Sequence, residues 1–437
     1  MWKSKVKDCP VLFLIANSIS WFSLTMLIIG DFAGSFSTND TLTIAAGYFG
    51  GLIVSATIGA TILQNKLKNK GILLSWILFG AATCALFSQV PLTEVLNMTL
   101  ASLILGVSVG LGIPTCFAFF ANQTKIENRG RNGAVLFFLI QLFSALVILS
   151  QSDMGVGNQF LILAVWRLIG VVGIIGYNSQ MVQDKEQTTS IKSVIREKSF
   201  ILFFLPWFLF TLVNFIEAPV IETYFGPELF NTSVLATTFI SSISAFLAGT
   251  LCDYKGRKIT GIIGFVLLGL GYAFLSFLIG PEKLIAQYLY ILCDGLAWGI
   301  LFVTFIFVVW GDLSENKTRE KYYLVGSMPF LFSGVIEMLI QPIAKDIAIS
   351  TAFSLASFFL FIAIVPLLYS TETLPEKAMK DRDLKSYLDK AQKIAEKKAN
   401  TSQHKEKTKT EKKEEPEAEE GKSKVYEEAQ KLAEKYY

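Results

Sequence analysis

Histidine and the short motifs of enzymes are nearly absent from this sequence. The only histidine is His404, and no H-E-x-x-H, paired-aspartate or G-x-x-x-x-G-K-[ST] motif occurs. The five cysteines include no C-x-x-C pair, so neither a zinc site nor a disulfide framework is predicted. These absences argue against an intramembrane enzyme and against an ATP-driven pump, and we expect no catalytic residue, no metal and no cofactor.

Charge is also scarce outside the C-terminal region. Charged residues make up 17% of the chain, and the formal net charge of +3 is too small to predict a nucleic-acid partner. Hydrophobic residues make up 52%. Because a water-soluble domain needs a polar surface that is missing over most of this chain, a lipid bilayer is its predicted surrounding.

The apolar residues form long runs. A helix rises about 1.5 Å per residue and the hydrocarbon core is about 30 Å thick, so each crossing needs roughly 20 mostly apolar residues. Twelve such runs cover approximately residues 11–31, 41–64, 71–90, 96–121, 133–151, 160–182, 200–221, 233–252, 260–280, 285–310, 323–344 and 349–370. An even number of crossings places both termini on one side.

Positive charge is concentrated on one side of this arrangement. Alternate loops carry basic residues such as Lys255, Arg257 and Lys258, whereas the opposite loops carry acids such as Asp40 and Glu94. By the positive-inside rule the basic side is cytoplasmic. The sequence therefore predicts a multi-pass protein of the cell (cytoplasmic) membrane with both termini in the cytoplasm. The first apolar run is interpreted as a crossing, because no small-residue cleavage site follows it.

The chain also contains an internal repeat. When it is shifted against itself by about 190 residues, Gly106 and Gly110 of the fourth span fall on Gly295 and Gly299 of the tenth. Parallel repeats of six helices each are therefore predicted. The predicted domains are an N-terminal six-helix bundle at 1–182, a cytoplasmic linker at 183–199, a C-terminal six-helix bundle at 200–371, and a charged cytoplasmic tail, partly helical and partly disordered, at 372–437.

Two segments resemble signatures of the major facilitator superfamily. The loop after the eighth span, Gly249-Thr250-Leu251-Cys252-Asp253-Tyr254-Lys255-Gly256-Arg257-Lys258, looks like the family's G-x-L-x-D-x-x-G-R-K signature. The glycine-rich fourth span, followed by Glu127 to Arg131, is similar to the family's fourth helix and its E-x-R-G-R loop. The resemblance implies an all-α integral membrane fold, with twelve transmembrane helices in two pseudo-symmetric six-helix bundles, and a role in secondary transport.

The sequence departs from the family pattern in the N-terminal half. Leu63 stands where the first copy of the loop signature has an aspartate, and Ser102 stands where many proton-coupled members have an arginine. The fifth span lacks the glycine-proline pattern of the family's antiporters. These departures argue against proton-driven efflux without excluding it.

The loop signature also has a chemistry of its own. Gly249 permits close approach of another helix, and Asp253 can accept hydrogen bonds from a helix N-terminus or pair with Arg257. Such a cluster can latch one side of a transporter; the alternative is an ordinary basic turn. The predicted cytoplasmic gate motif consists of Gly249, Asp253, Gly256, Arg257 and Lys258, and the candidate residues of the loop after the fourth span are Glu127, Arg129 and Arg131.

Four ionisable residues interrupt the apolar spans, namely Arg167, Glu217, Asp294 and Glu337. A charge at the bilayer centre is costly and is retained only with a partner or a cavity. Three carboxylates in the C-terminal half favour a cationic substrate or a proton site. For Glu217 the alternative is a water-facing helix end, and for Arg167 it is an anchor near the outer headgroups or a pair with an acid.

Uncharged polar residues complete the predicted cavity. Asn17 and Trp21 lie on one face of the first helix, and Asn214 shares a face with Glu217 because three residues separate them. Gln141 of the fifth span is a further candidate. The alternative for each is a hydrogen bond that joins neighbouring helices.

The predicted function is secondary active transport of a small organic solute by alternating access, coupled to H+ or to another ion, by a protein expected to be monomeric. The alternative is a transporter-like membrane sensor that signals through its cytoplasmic tail. Deletion of residues 377–437 separates the two, because a carrier should still move its solute.

Overall fold

The structure is a computed structural model. It describes residues 9–64, 66, 69–151, 154–175, 190–278, 283–315, 318–376, 379–380, 384, 388 and 390–393. The predictions for residues 183–189 of the linker and for the tail beyond residue 393 lie outside the described residues.

Within the described ranges the secondary structure is helical, and twelve helices are long and apolar enough to cross a membrane. They are α1 (Pro10–Ala33), α2 (Thr38–Thr61), α3 (Lys70–Phe87), α4 (Val95–Gln123), α5 (Ile126–Ser150), α6 (Val156–Ile174), α7 (Lys198–Phe225), α8 (Pro227–Lys255), α9 (Arg257–Phe277), α10 (Leu284–Leu313), α11 (Arg319–Ala344) and α12 (Ile349–Tyr369). Both the all-α membrane fold and the twelve predicted spans are confirmed. A short helix, Ile191–Arg196, precedes α7.

Large apolar side chains lie on the outer surfaces of these helices. Leu96, Leu149 and Leu235 are 68%, 71% and 73% exposed. Large exposed apolar side chains of this kind would be unfavourable in water, and they are expected where a helix contacts lipid chains.

The two halves of the chain use the same helix pairs. In the first half α2 packs against α4, α3 against α6 and α1 against α5. In the second half the equivalent pairs are α8 with α10, α9 with α12 and α7 with α11. The halves meet through α5 with α8 and through α2 with α11. These two contacts are equivalent, because the six-helix repeat relates α5 to α11 and α8 to α2. The predicted pseudo-symmetric pair of six-helix bundles is therefore confirmed.

The repeated glycines explain one of these helix pairs. A Cβ atom on Gly106 would lie 2.1 Å from the carbonyl oxygen of Tyr48, and one on Gly110 would lie 2.1 Å from that of Leu52. In the second half, a Cβ on Gly299 would lie 2.4 Å from the carbonyl oxygen of Ser241. Small residues allow helix backbones to approach closely in a membrane, where packing rather than the hydrophobic effect drives association. The same sequence feature thus joins α4 to α2 and α10 to α8.

Two helices depart from regular geometry near the centre of the molecule. Phe302–Val309 of α10 forms a π-helix. The second is α11, where the regular helix is interrupted at Phe332, three residues after Pro329. Irregular turns of this kind are frequent at functional sites and bends.

Chain contacts define two compact units, Met1–Thr373 and Leu374–Tyr437. Both bundles belong to the first unit, so the predicted boundary between them stays a prediction. We call the end of the first unit that carries the α4–α5, α8–α9 and α10–α11 connections the basic end, after Arg129, Arg257 and Arg319. The other end is the opposite end.

Candidate functional site

At the basic end, α5 and α8 approach each other through two glycines. A Cβ atom on Gly130 would lie 2.7 Å from the carbonyl oxygen of Gly249, and one on Gly249 would lie 2.6 Å from that of Gly130. Any larger side chain at either position would push the helices apart. The close approach predicted for Gly249 is therefore made, and its partner belongs to the other bundle.

Asp253 lies beside this glycine contact with a fully buried side chain. Its carboxylate accepts hydrogen bonds from the backbone N–H groups of Gly130, at 2.9 Å, and Arg131, at 3.1 Å, and from Nε of Arg131 at 3.1 Å. Nη1 of Arg257 lies 3.8 Å from the same carboxylate. Both sequence-based alternatives for Asp253, a helix N-terminus and Arg257, occur together.

A second buried carboxylate, Asp312 at the end of α10, links two arginines. It forms an ion pair with Arg129 of the N-terminal bundle, and it accepts a hydrogen bond from Nε of Arg257 at 2.7 Å. Sequence analysis missed Asp312, because the predicted tenth span ended at residue 310 and left it in a loop. The sequence does contain a signal for Asp312, because it is an acid on the predicted cytoplasmic side, where basic residues predominate.

Arg257 makes further contacts that join the two bundles. Its guanidinium donates hydrogen bonds to the carbonyl oxygens of Cys252, at 2.7 Å, and of Ile126 in the N-terminal bundle. Arg129 is held in turn by the carbonyl oxygen of Ala121 at 2.8 Å and by the hydroxyl of Thr124 at 3.1 Å. We call the six residues that form these contacts the latch; they are Arg129, Gly130, Arg131, Asp253, Arg257 and Asp312.

The other residues of the predicted gate motif fix the start of α9. Gly256 adopts φ +98°, a conformation that side-chain-bearing residues rarely take. The Glu372 carboxylate then accepts hydrogen bonds from the backbone N–H groups of Arg257, at 2.8 Å, and Lys258, at 3.1 Å. These contacts join Glu372, just after α12, to the start of α9. Glu127 lies in the short turn that precedes Arg129.

The symmetry-related contact between α2 and α11 has a different character. There Ala56 and Ala60 pack with Leu324, and Leu63 stands where the first copy of the signature lacks its aspartate. The buried ion pairs of Asp253 and Asp312 with the N-terminal bundle involve α5, which packs against α8.

The centre of the molecule, where the bundles meet, is apolar. A void of only about 10 Å³ lies between α1, α4, α10 and α11, and it is enclosed by one hydroxyl side chain and eight apolar ones. They are Ile19, Phe22, Ile113, Phe117, Phe302, Ile306, Ser327, Phe330 and Leu331. Together with the latch, this packing closes the basic end.

The predicted carboxylates lie in the C-terminal bundle, nearer the opposite end. Glu217 and Asp294 are each 5% exposed, and each has one buried carboxylate oxygen without a hydrogen-bond partner among the described residues. Tyr272 and Tyr290 lie within electrostatic reach of both carboxylates. Glu337 is half-buried. No group of three His, Cys, Asp or Glu side chains that could hold a metal ion occurs among the residues with described positions.

Arg167 lies in the N-terminal bundle and is fully buried near the middle of α6. Nη1 donates hydrogen bonds to Ser18, at 2.9 Å, and Asn17, at 3.4 Å. The guanidinium carbon lies 4.6 Å from the ring centroid of Trp21 and 4.2 Å from that of Trp76. Within the described part of the chain, Nε and Nη2 have no hydrogen-bond partner. The structure therefore shows neither a headgroup anchor nor an ion pair within the described chain, but a cation held between two aromatic faces.

The remaining polar candidates are spread over both bundles. Asn17 donates a hydrogen bond to the carbonyl oxygen of Trp166 at 2.7 Å, which joins α1 to α6 as the alternative interpretation expected. Trp21 is fully buried against Arg167. Gln141 and Asn214 are half-buried on α5 and α7. The structure brings Asn17, Trp21 and Arg167 together, apart from the carboxylates.

Replacing Arg167 with lysine should lower the thermal stability more than replacing it with methionine. Lysine keeps a buried charge but lacks the planar group that lies over both tryptophan rings, whereas methionine removes the charge and fills the space. We expect the free energy of unfolding to fall by roughly 2 kcal/mol for lysine and by less for methionine. Thermal unfolding of the purified protein in detergent measures both, and equal losses would contradict the role of stacking.

The comparisons agree with this architecture. A model of the Major Facilitator Superfamily matches residues 9–310. The crystal structure of the transporter FucP in the outward conformation is similar, with a TM-score of 0.66, 13% identity, and coverage of 84% of this chain and 98% of that chain. The proton:xylose symporter XylE bound to 6-bromo-6-deoxy-D-glucose is also similar, with a TM-score of 0.60, 14% identity, and coverage of 84% and 95%. No curated protein matches the chain.

Family membership follows from the extent of the first match, which covers more than half of the chain and both signature segments. The structural similarities, at low identity, support the fold alone. The chain belongs to the major facilitator superfamily and is a multi-pass membrane transporter.

Proposed function

We propose that the protein is a secondary active transporter that moves a small organic solute across the cytoplasmic membrane by alternating access, with the basic end in the cytoplasm. The observation that carries this proposal is the latch. It joins residues of one bundle to residues of the other through buried ion pairs and hydrogen bonds. Because these contacts cross the boundary between two similar bundles, rocking of the bundles would break them as a group.

The carboxylates of the C-terminal bundle supply the proposed coupling chemistry. Asp294 and Glu337 lie on α10 and α11, which contact the N-terminal bundle, and Glu217 lies on α7, which packs against α11. A buried carboxylate can exchange its charge for a proton or pair with another cation. Binding of H+ or another ion there would link the solute to an ion gradient. Neutral substitution of Asp294 would test this step.

A crosslink between α5 and α8 tests alternating access without knowledge of the solute. The Phe138 and Phe246 rings lie 5.5 Å apart on α5 and α8, so the pair Phe138→Cys and Phe246→Cys should join the bundles when treated with a short thiol crosslinker. A reporter cysteine at Ser327 lines the central void. In a cysteine-free background, the crosslink should stop a membrane-impermeant thiol reagent from reaching the reporter from the basic side.

The matched control is a crosslink within one bundle. The Ser276 and Ser354 hydroxyls lie 2.7 Å apart on α9 and α12, so Ser276→Cys with Ser354→Cys should leave access to the reporter unchanged. Access from the basic side that persists after the α5–α8 crosslink would overturn the proposed cycle.

A further inference from the structure

Three helices of the C-terminal bundle repeat one arrangement of an acid and an aromatic ring. Glu217 follows Phe210 by seven residues on α7, and Glu337 follows Phe330 by seven residues on α11. On α10, which runs in the other direction, Asp294 precedes Phe302 by eight residues. At about 1.5 Å per residue, each carboxylate lies roughly 10–12 Å along its helix from its ring. In all three cases the acid is nearer the opposite end.

The rings of these helices contact one another and form a continuous surface. The ring centroids of Phe210 and Trp298 lie 5.0 Å apart, those of Trp298 and Phe330 lie 6.5 Å apart, and those of Phe302 and Phe330 lie 5.3 Å apart. We call these four residues the aromatic floor. Phe302 and Phe330 also line the central void between the bundles, so the floor faces the boundary across which a solute must pass.

The acids above the floor lack a positive partner. In the described ranges, Glu217 and Asp294 each have a buried carboxylate oxygen without a hydrogen-bond partner. The ion pairs of the described chain leave both acids out. The Thr237 hydroxyl donates a hydrogen bond to Asp294, and the hydroxyls of Tyr272 and Tyr290 also lie near the two acids. A buried carboxylate without a positive partner is unfavourable, and a bound cation would reduce that cost.

The side chains around the central void offer almost nothing to a polar solute. Ser327 provides the only hydroxyl among the side chains that enclose the void. A sugar that enters such a place leaves several hydroxyl groups without hydrogen-bond partners, and each lost hydrogen bond costs about 1–3 kcal/mol. An apolar or aromatic body loses nothing there and gains contact with the floor.

From this arrangement we propose that the solute is an elongated organic cation. Its ammonium group binds beside Glu217 and Asp294, and its apolar or aromatic body lies on the aromatic floor toward the basic end. The half-buried Trp298 is placed one turn from Asp294, where its ring face can also contact the cation. This inference rests on the proposed transport function, and it names the chemistry of its substrate.

Three probes of one shape and different charge test the proposal on the purified wild-type protein. Phenylbutylamine is cationic, phenylbutanol is neutral and phenylbutyrate is anionic at neutral pH. Thermal stabilisation as a function of ligand concentration gives the apparent Kd of each. We expect the amine to bind about tenfold more tightly than the alcohol, and the acid to bind more weakly still. Equal binding of the three probes, or stronger stabilisation by D-xylose, would overturn the proposal.

Variants assign the binding to these side chains. Glu217→Gln and Asp294→Asn should each weaken amine binding about tenfold, whereas Glu228→Gln, at an exposed position, should not. Phe330→Leu should weaken binding of both amine and alcohol, whereas Phe358→Leu, on the outer surface, should not. Unchanged amine binding in both acid variants would also overturn the proposal.

The test of the substrate chemistry and the test of the transport cycle can fail independently of each other. If the amine shows no preference while the α5–α8 crosslink still blocks access to Ser327, only the substrate chemistry is wrong. If the amine binds as expected while the crosslink has no effect, the binding chemistry stands and alternating access is wrong.

Discussion

Replacement of Asp312 with asparagine should lower the free energy of unfolding by about 3–5 kcal/mol, the usual cost of removing one partner from a buried charge network. Asp312 pairs with Arg129 and Arg257, whose side chains are 3% and 0% exposed. Without its charge, one guanidinium loses its only ion-pair partner in the described chain, and the other retains only Asp253 at 3.8 Å. Thermal or chemical unfolding in detergent measures the loss.

The control for this variant is Glu315→Gln. Glu315 lies one turn further along the chain and is exposed, so its neutralisation should change the free energy of unfolding by less than about 1 kcal/mol. Equal effects of the two variants would mean that the buried network contributes no more than surface charge.

Replacement of Gly130 with valine should abolish transport while leaving membrane levels normal. A Cβ at this position would lie 2.7 Å from both the Asp253 carboxylate and the Gly249 carbonyl oxygen, so the closed basic end cannot form without strain. Overpacking of this kind costs about 1–3 kcal/mol, which moves the equilibrium away from the closed state by about five- to 150-fold. Once a solute is known, its uptake into proteoliposomes measures the effect.

Gly50→Val is the matched control, because no atom lies within 4 Å of a Cβ atom placed on Gly50 of α2. It changes the same residue type within a membrane helix but touches no neighbouring helix. Normal uptake by the Gly130 variant, or an equal loss in the Gly50 variant, would show that the α5–α8 approach is not required.

Much of the fold could be predicted because it depends on local sequence. The length of each apolar run determines the number of crossings, and the repeated glycines determine which helices approach closely. The chemistry of Asp253 was predicted for the same reason, since the signature places it beside Arg257. The sequence also predicted that Asp253 can accept hydrogen bonds from a helix N-terminus, but it did not identify that helix as α5.

The contacts that could not be predicted join residues far apart in the chain. Asp312 meets Arg129 across the boundary between the bundles, and no spacing in the sequence records that distance. Arg167 was recognised as an unusual charge, but its partners come from α1 and α3. The sequence identifies such residues by the cost of burying them, whereas only the packing of the helices shows which groups reduce that cost.

In the proposed cycle the latch holds the two bundles together at the basic end. Spin labels at Lys125→Cys and Lys255→Cys, both exposed and on different bundles, report the distance across it. Pulsed electron paramagnetic resonance should show a short distance as the main population in the otherwise wild-type protein and a longer one after Asp312→Asn. Identical distance distributions in the two proteins would contradict the claim.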